Sequence, residues 1–399
     1  MSEPTPAQMS PGSALVVAAA LALGAAVSLG LGRFSYALLL APMRDDLGWS
    51  YLTAGAMNTA NAAGYLVGAL LAPRWLGRFD ARALLLAGSG ATALLLAAHG
   101  AVLGDAPLYA LRLSTGVASA ATFVSGGLLA ARLGVSHPRS AGLLLGVYYG
   151  GTGLGIILST LMVPPLTALA IDHAWQWAWV ALGAMAAVCT ALTARATRAL
   201  HAPPVAAGRH VPFRWRPFTF GLAGYLMFGL GYIGYMTFVI TLLREQRLGS
   251  MEVAAFFVLL GAGVVASSWI WARLLQRCRG GEALALLNGL LALATVLPVL
   301  SVHPLAVYAS GLLFGTVFLS LVASTTALVR HNQPPAAWPG GIAAFTIVFA
   351  VGQIVGPSGV GWIADGPGGL PRGLAVSALV LLAGAVLAWF QRPLGDASR

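Results

Sequence analysis

Twelve successive runs of mostly apolar residues, each about as long as the ~20 residues a helix needs to cross a bilayer, constrain this chain more than any other feature. They lie at about 13–41, 51–72, 82–103, 106–131, 140–165, 174–197, 216–243, 252–274, 282–301, 304–329, 338–364 and 371–391. In hydrocarbon the backbone must satisfy its own hydrogen bonds, so runs of this kind predict an all-α integral membrane protein. Composition agrees: 58% of the 399 residues are hydrophobic and 8% charged, with a mean hydropathy of +0.84. The links are short and carry breakers such as Pro73, Pro107, Pro138, Pro164-Pro165 and Pro334-Pro335; the longest polar interruption falls between Arg198 and Arg216.

The charge pattern orients the chain. All 22 basic residues are arginine, which leaves no lysine for Schiff-base or nucleotide chemistry. Assigned to alternate sides of the twelve spans, sixteen fall on one face: Arg74, Arg78, Arg82, Arg132, Arg139, Arg195, Arg198, Arg209, Arg214, Arg216, Arg273, Arg277, Arg279, Arg330, Arg392 and Arg399. Only Arg44, Arg244, Arg247 and Arg372 fall on the other. The positive-inside rule then places both termini and the central loop in the cytoplasm. It also accounts for the net charge of +11 without nucleic acid. No basic residue precedes Arg33, so the first run lacks the n-region of a signal peptide and reads as a retained first span.

The two halves repeat. Gly30-Leu31-Gly32 with Tyr36 recurs as Gly229-Leu230-Gly231 with Tyr235, an offset of 199. At the same offset Gly64 meets Gly263, Arg74 meets Arg273, Arg78 meets Arg277 and Gly116 meets Gly315. The expected organisation is a six-helix bundle over 1–197, a cytoplasmic linker over 198–215 and a second six-helix bundle over 216–399.

Twelve spans in two repeats, with cytoplasmic ends and a long central loop, resemble the major facilitator superfamily. Gly30-Leu31-Gly32-Arg33-Phe34-Ser35-Tyr36, Asn58-Thr59-Ala60-Asn61-Ala62-Ala63-Gly64-Tyr65 and Gly231-Tyr232 with Thr237-Phe238 resemble its bacterial YbfB/YjiJ-type branch. The resemblance implies secondary transport of a small molecule by alternating access, with coupling to protons left open. In the superfamily the loop between helices 2 and 3 latches the halves. Here Gly77-Arg78 fit, but Arg74 stands where an acid is usual, with Asp80 as a substitute in the charge network. Arg112-Leu113-Ser114-Thr115-Gly116 resembles the superfamily's Arg-x-x-Gln-Gly signature with Thr115 for Gln; its arginine is implicated in proton transfer in proton-coupled members. Arg112 lies only ~9 Å into its helix at 1.5 Å per residue, so it is also placed to snorkel outward. Gly146-x-x-x-Gly150-Gly151-Thr152-Gly153-Leu154-Gly155 and Gly352-Gln353-Ile354-Val355-Gly356-Pro357 read as hinge and packing devices, the second resembling the Gly-Pro motif of exporters.

Polar side chains inside spans mark a cavity or a helix contact. Asn58, Asn61 and Tyr65 share one face of the second span, Tyr232 and Tyr235 share a face of the seventh, and Gln353 is an isolated amide in the eleventh. Arg33 is the sharpest signal: a guanidinium at span depth cannot lose its proton and matches a carboxylate bidentately. The eleven acids all fall in loops or near helix ends. Its obvious partners are therefore absent, unless Asp46 or Asp365 reaches inward. Two roles stand open for Arg33, an anion-binding residue of the substrate site or a structural cation bonded to helix carbonyls. The expected function is transport of a small organic anion; the alternative is efflux of apolar or cationic compounds.

Other classes find little support. Cys189 and Cys278 have neither metal-ligand nor disulfide spacing, the histidines show no metal pairing, and no catalytic constellation is visible, so neither metal, cofactor nor enzyme activity is expected. Trp49, Trp75, Trp175, Trp177, Trp269, Trp338 and Trp389 read as interfacial anchors. A monomer is expected.

Overall fold

A computed structural model describes residues 11–200, 213–334 and 337–394. Glu3, Arg209, Pro335, Asp396, Arg399 and most of the expected linker lie outside the described residues. Twelve long helices follow one another. Helix α1 runs as Pro11–Ala25, a π-helical stretch Ala26–Phe34, and Tyr36–Leu47. The others are α2 Tyr51–Leu76, α3 Ala81–Ala98, α4 Asp105–Ser136, α5 Ala141–Thr167, α6 Ala174–Ala196, α7 Thr219–Glu245, α8 Ser250–Ile270, α9 Glu282–Leu300, α10 Pro304–Asn332, α11 Trp338–Ala364 and α12 Gly369–Trp389. Eleven of them are long and apolar enough to cross a membrane by length and composition. The twelfth, α2, is 26 residues long and less apolar because it carries Asn58, Thr59, Asn61 and Tyr65, the polar side chains that a site needs.

Side-chain bonds at the helix ends sort those ends onto two faces. At the arginine-poor face, Asp46 accepts from the Trp175 indole at 2.5 Å and Asp105 from the Trp49 indole at 2.8 Å. Gln246 there donates to the Pro298 carbonyl at 2.8 Å. Trp49 and Trp175 are therefore buried rather than lipid-facing anchors, because each indole N–H is held by a carboxylate of its own repeat. At the arginine-rich face, Arg82 donates to Thr197 and the Ala194 carbonyl, and Gln391 bridges Gly221 and Pro217. These ties stay within one repeat.

Close packing inside each repeat rests on glycine. A Cβ on Gly64 would collide with the Leu113 carbonyl, and one on Gly116 with the Asn61 carbonyl, so α2 and α4 touch backbone to backbone. The second repeat does the same 199 residues later, Gly263 against the Leu312 carbonyl and Gly315 against the Leu260 carbonyl. Without a hydrophobic driving force between helices in lipid, such close approach is what holds them together. Between the repeats, α2 packs on α11, α5 on α8, and the Tyr36–Leu47 part of α1 on α7.

Gly116→Val and Gly315→Val should each lower stability by about 1–3 kcal/mol through overpacking. Gly90→Val and Gly359→Val, where a Cβ meets nothing within 4 Å, should leave the melting temperature of the detergent-purified protein near wild type. Equal melting temperatures for all four variants would refute the interlock.

Candidate functional site

The site grows from the π-helical stretch of α1. Widening the helix sets carbonyls free of the usual ladder, and π-turns recur at functional positions for this reason. Here the Ser35 amide reaches back to the Gly30 carbonyl at 3.0 Å, and a neighbouring helix donates to two other carbonyls of the stretch. Ser119 of α4 donates to the Ser28 carbonyl at 3.1 Å while Ser28 donates to the Ser119 carbonyl at 2.8 Å. Arg112 of α4 donates to the Gly32 carbonyl at 3.0 Å. The stretch is fully buried, and Arg33 within it is 3% exposed.

Arg33 points across the boundary between the repeats. Its Nη2 donates to the Gln353 carboxamide oxygen of α11, and the same oxygen accepts from the Tyr232 hydroxyl of α7 at 2.7 Å. The guanidinium carbon lies 5.8 Å from the Tyr65 ring centroid and 5.9 Å from that of Phe34, within cation–π range. Its Nε has no hydrogen-bond partner. Behind Gln353 stands a ladder of near-parallel rings: Tyr232 on Phe228 at 4.7 Å, Phe228 on Phe349 at 5.1 Å, and Phe349 on Tyr225 at 5.0 Å.

A second arginine lies one helix behind. Arg112 is fully buried, not snorkelling, because acceptors wait for it inside the bundle. Besides the Gly32 carbonyl it reaches the Asn58 carboxamide oxygen at 3.4 Å, and its guanidinium sits over the rings of Tyr36 at 5.0 Å and Trp179 at 5.6 Å. Asn58 in turn donates to Thr237 of α7 at 2.7 Å, a second bond across the boundary. Asn61 donates to the Arg112 carbonyl at 3.1 Å.

The structure thus brings Arg33, Tyr65, Tyr232 and Gln353 together, with Arg112, Asn58, Asn61 and Tyr36 as an adjoining layer. Tyr235 stands apart. It shares a hydrogen bond with Ser310 at 2.5 Å and stacks on Phe314 at 4.1 Å, both of α10, inside the second repeat. Asp46 and Asp365 do not reach Arg33. Asp46 is held by His173 and Trp175, and Asp365 accepts the amides of Tyr51 at 2.7 Å and Leu52 at 2.9 Å, capping α2 from α11. Tyr51 also donates its hydroxyl to Glu245 of α7, so the repeats are tied along the arginine-poor face. The ion pairs among the described residues are Arg44 with Asp45 and His173 with Asp46, neither of which involves Arg33 or Arg112.

Of the residues expected in coupling or gating, Arg74 and Arg78 are exposed at the end of α2. Asp80 caps α3 through the amides of Arg82 and Ala83. Gly356 abuts α7 at Leu230 and Ile233, and the Pro357 carbonyl faces Gly55 of α2. A Cβ on Gly150 would meet Val265 at an ordinary 3.7 Å; the tight contacts of α5 are made by Gly151 and Gly155 against α1 and by Gly153 against α8. Sequence reasoning named Thr237 only within a family-like motif and not as a site residue, and it missed the ladder of Tyr225, Phe228 and Phe349. The i, i+3, i+7 spacing of the three α7 rings was a visible signal for part of it.

Comparison with known proteins gives a single fold. The family described as "Uncharacterised MFS-type transporter YbfB" matches residues 25–389. No curated protein sequence matches. Among solved structures, a crystal structure of a mutant of the nucleoside transporter NupG is similar at a TM-score of 0.70 and 13% identity, over 94% of this chain and 98% of that one. A bacterial homologue of the human lysosomal transporter Spinster, inward-facing and unoccupied, is similar at 0.68 and 13%, over 96% of each chain. At these identities the likeness is one of fold.

The two arginines should respond differently to substitution. Arg112→Ala removes the donor to two buried acceptors, each worth about 1–3 kcal/mol when left bare, and Arg112→Lys should not rescue it because an ammonium cannot span both. Arg33→Gln should cost less, since Gln353 keeps Tyr232. Thermal unfolding of purified variants checks the order, and an Arg33→Gln loss larger than the Arg112→Ala loss would contradict it.

Proposed function

Because the chain belongs to the YbfB-type family of MFS transporters, we propose that it is a secondary active transporter of a small organic anion in the bacterial inner membrane. One observation carries the reading: Arg33 and Arg112 are buried together, and no carboxylate among the described residues pairs with either. A guanidinium cannot escape burial by deprotonation, and an unpaired charge at that depth is expensive. Arg112 is answered by two fixed acceptors of its own repeat, its Nε being unpartnered like that of Arg33. Arg33 is answered by one neutral oxygen of the opposite repeat and keeps an unpartnered Nε, so an anion is the partner that its surroundings lack.

The mechanism is rocking of two bundles, 1–197 and 216–399, joined through 198–215, about a site at their boundary. Substrate would meet Arg33, Tyr65, Tyr232 and Gln353, with Asn58, Asn61 and Tyr36 holding the surrounding shape. If the arginine-rich face is cytoplasmic, the Asp365 cap on α2 and the Tyr51–Glu245 bond close the periplasmic side. Opening that side requires both to break, while Arg112, Gly356 and Pro357 lie on the helices that move. Efflux of cationic compounds, the alternative, would press a cation against two uncompensated guanidiniums. The protein would act as a monomer.

A thermal-shift screen of the purified protein over carboxylates, phosphate esters, sulfonates and amines tests the reading. Anions should stabilise it, and Arg33→Gln should weaken the best of them at least about tenfold, as expected for loss of a charge-assisted pair. Stabilisation by amines alone, or by anions equally in Arg33→Gln, would overturn it.

A further inference from the structure

We propose that the Gln353 carboxamide is a tethered stand-in for substrate, and that the substrate is a monocarboxylate which enters by displacing Gln353 Oε1 from Arg33 and Tyr232. The inference rests on the anion reading above and goes beyond it by naming the headgroup, its charge and the group it replaces.

The geometry at one oxygen atom carries the argument. Gln353 Oε1 takes two donors at once, Arg33 Nη2 from the first repeat and the Tyr232 hydroxyl from the second. A guanidinium and a phenol converging on a single sp² oxygen is the arrangement that recognises one oxygen of a carboxylate. The carboxamide fills it incompletely. Nε and Nη2 share one edge of the guanidinium, a fork built for two oxygens, and the Nε half is buried without a partner. A carboxylate supplies the missing oxygen. One oxygen would take Nη2 and the Tyr232 hydroxyl, the other would take Nε.

Charge sets the valence. Arg112, the neighbouring cation, spends Nη1 on the Gly32 carbonyl and Nη2 on Asn58 and lies against the rings of Tyr36 and Trp179 inside its own repeat, its Nε being buried without a partner as well. Of the two, only Arg33 reaches across the boundary, so one guanidinium is offered to a ligand there, and it balances one negative charge. A phosphate dianion or a dicarboxylate would bring a second charge into surroundings made of Phe34, Tyr65, Phe228, Phe318 and Phe349. The same rings suit an apolar body behind the headgroup.

The stand-in has a consequence of definite sign. If Gln353 competes with substrate for Arg33, removing its carbonyl frees the fork and tightens binding. If Gln353 is a binding contact or a structural bond, removing it weakens binding. Gln353→Glu would carry its own carboxylate into the fork and should shut ligand out.

Titrations of sodium butyrate, sodium benzoate, sodium succinate and inorganic phosphate, followed by thermal shift on the purified full-length protein, decide between these. Butyrate or benzoate should bind wild type, with Gln353→Ala and Gln353→Met about tenfold tighter, equal to 1.4 kcal/mol. Gln353→Glu should lose the response, and succinate and phosphate should give none in any form. Gln353→Met keeps the side-chain volume, so it reports even if Gln353→Ala unfolds. Weaker binding in Gln353→Met, or an undiminished response in Gln353→Glu, would overturn the proposal. Binding of phosphate or succinate alone, lost in Arg33→Gln, would overturn the proposal and leave the anion reading standing. No anion response in wild type would sink both.

Discussion

A guanidinium buried at the boundary of two helical repeats, with no carboxylate among the described residues to neutralise it, is the constraint from which the rest of this structure follows. Placing Arg33 there forces nearby oxygen atoms to be found in a region made almost entirely of hydrocarbon. The fold answers Arg33 and the neighbouring Arg112 in two ways. The π-helical stretch of α1 releases backbone carbonyls, which Ser119 and Arg112 take up from α4. Across the boundary, α11 offers the Gln353 carboxamide. The repeats are thus joined at the site by neutral acceptors on a permanent cation, a bond that an anion can replace.

The scaffold around the site is divided by the same logic. Within a repeat, Gly64, Gly116, Gly263 and Gly315 bring α2 onto α4 and α8 onto α10 backbone to backbone. Such contacts have one arrangement and favour moving as a block. Between the repeats, Asn58 with Thr237, Arg33 with Gln353 and the Asp365 cap on α2 are hydrogen bonds that break and reform individually. Rigid blocks joined by exchangeable polar bonds suit a rocking motion better than either feature alone.

Much of this was legible in the sequence, and the reason is the period of the helix. Runs of apolar residues locate the helices, and the 199-residue offset locates the glycine interlock, because both are properties of the chain read along its length. The polar face of α2 and the isolated Gln353 were likewise visible as exceptions to hydrocarbon. What was hidden depends on rotation and on partners distant in sequence. The π-stretch changes the phase of α1, so no count from its N-terminus gives the direction of Arg33. Arg112, read as close enough to its helix end to snorkel, turns inward because Gly32 and Asn58 wait there. Trp49 and Trp175, read as lipid anchors, turn inward because Asp105 and Asp46 hold their indoles. Tyr235, grouped with Tyr232 by spacing, belongs to Ser310.

The central claim is that Arg33 meets an anion at the boundary of the repeats, and a structure of the purified protein with a stabilising anion tests it most directly. The account predicts ligand density on the Nε and Nη2 edge of Arg33, in contact with Tyr232, with the Gln353 oxygen moved off the guanidinium. Density elsewhere, with the Arg33 to Gln353 bond intact, would contradict it.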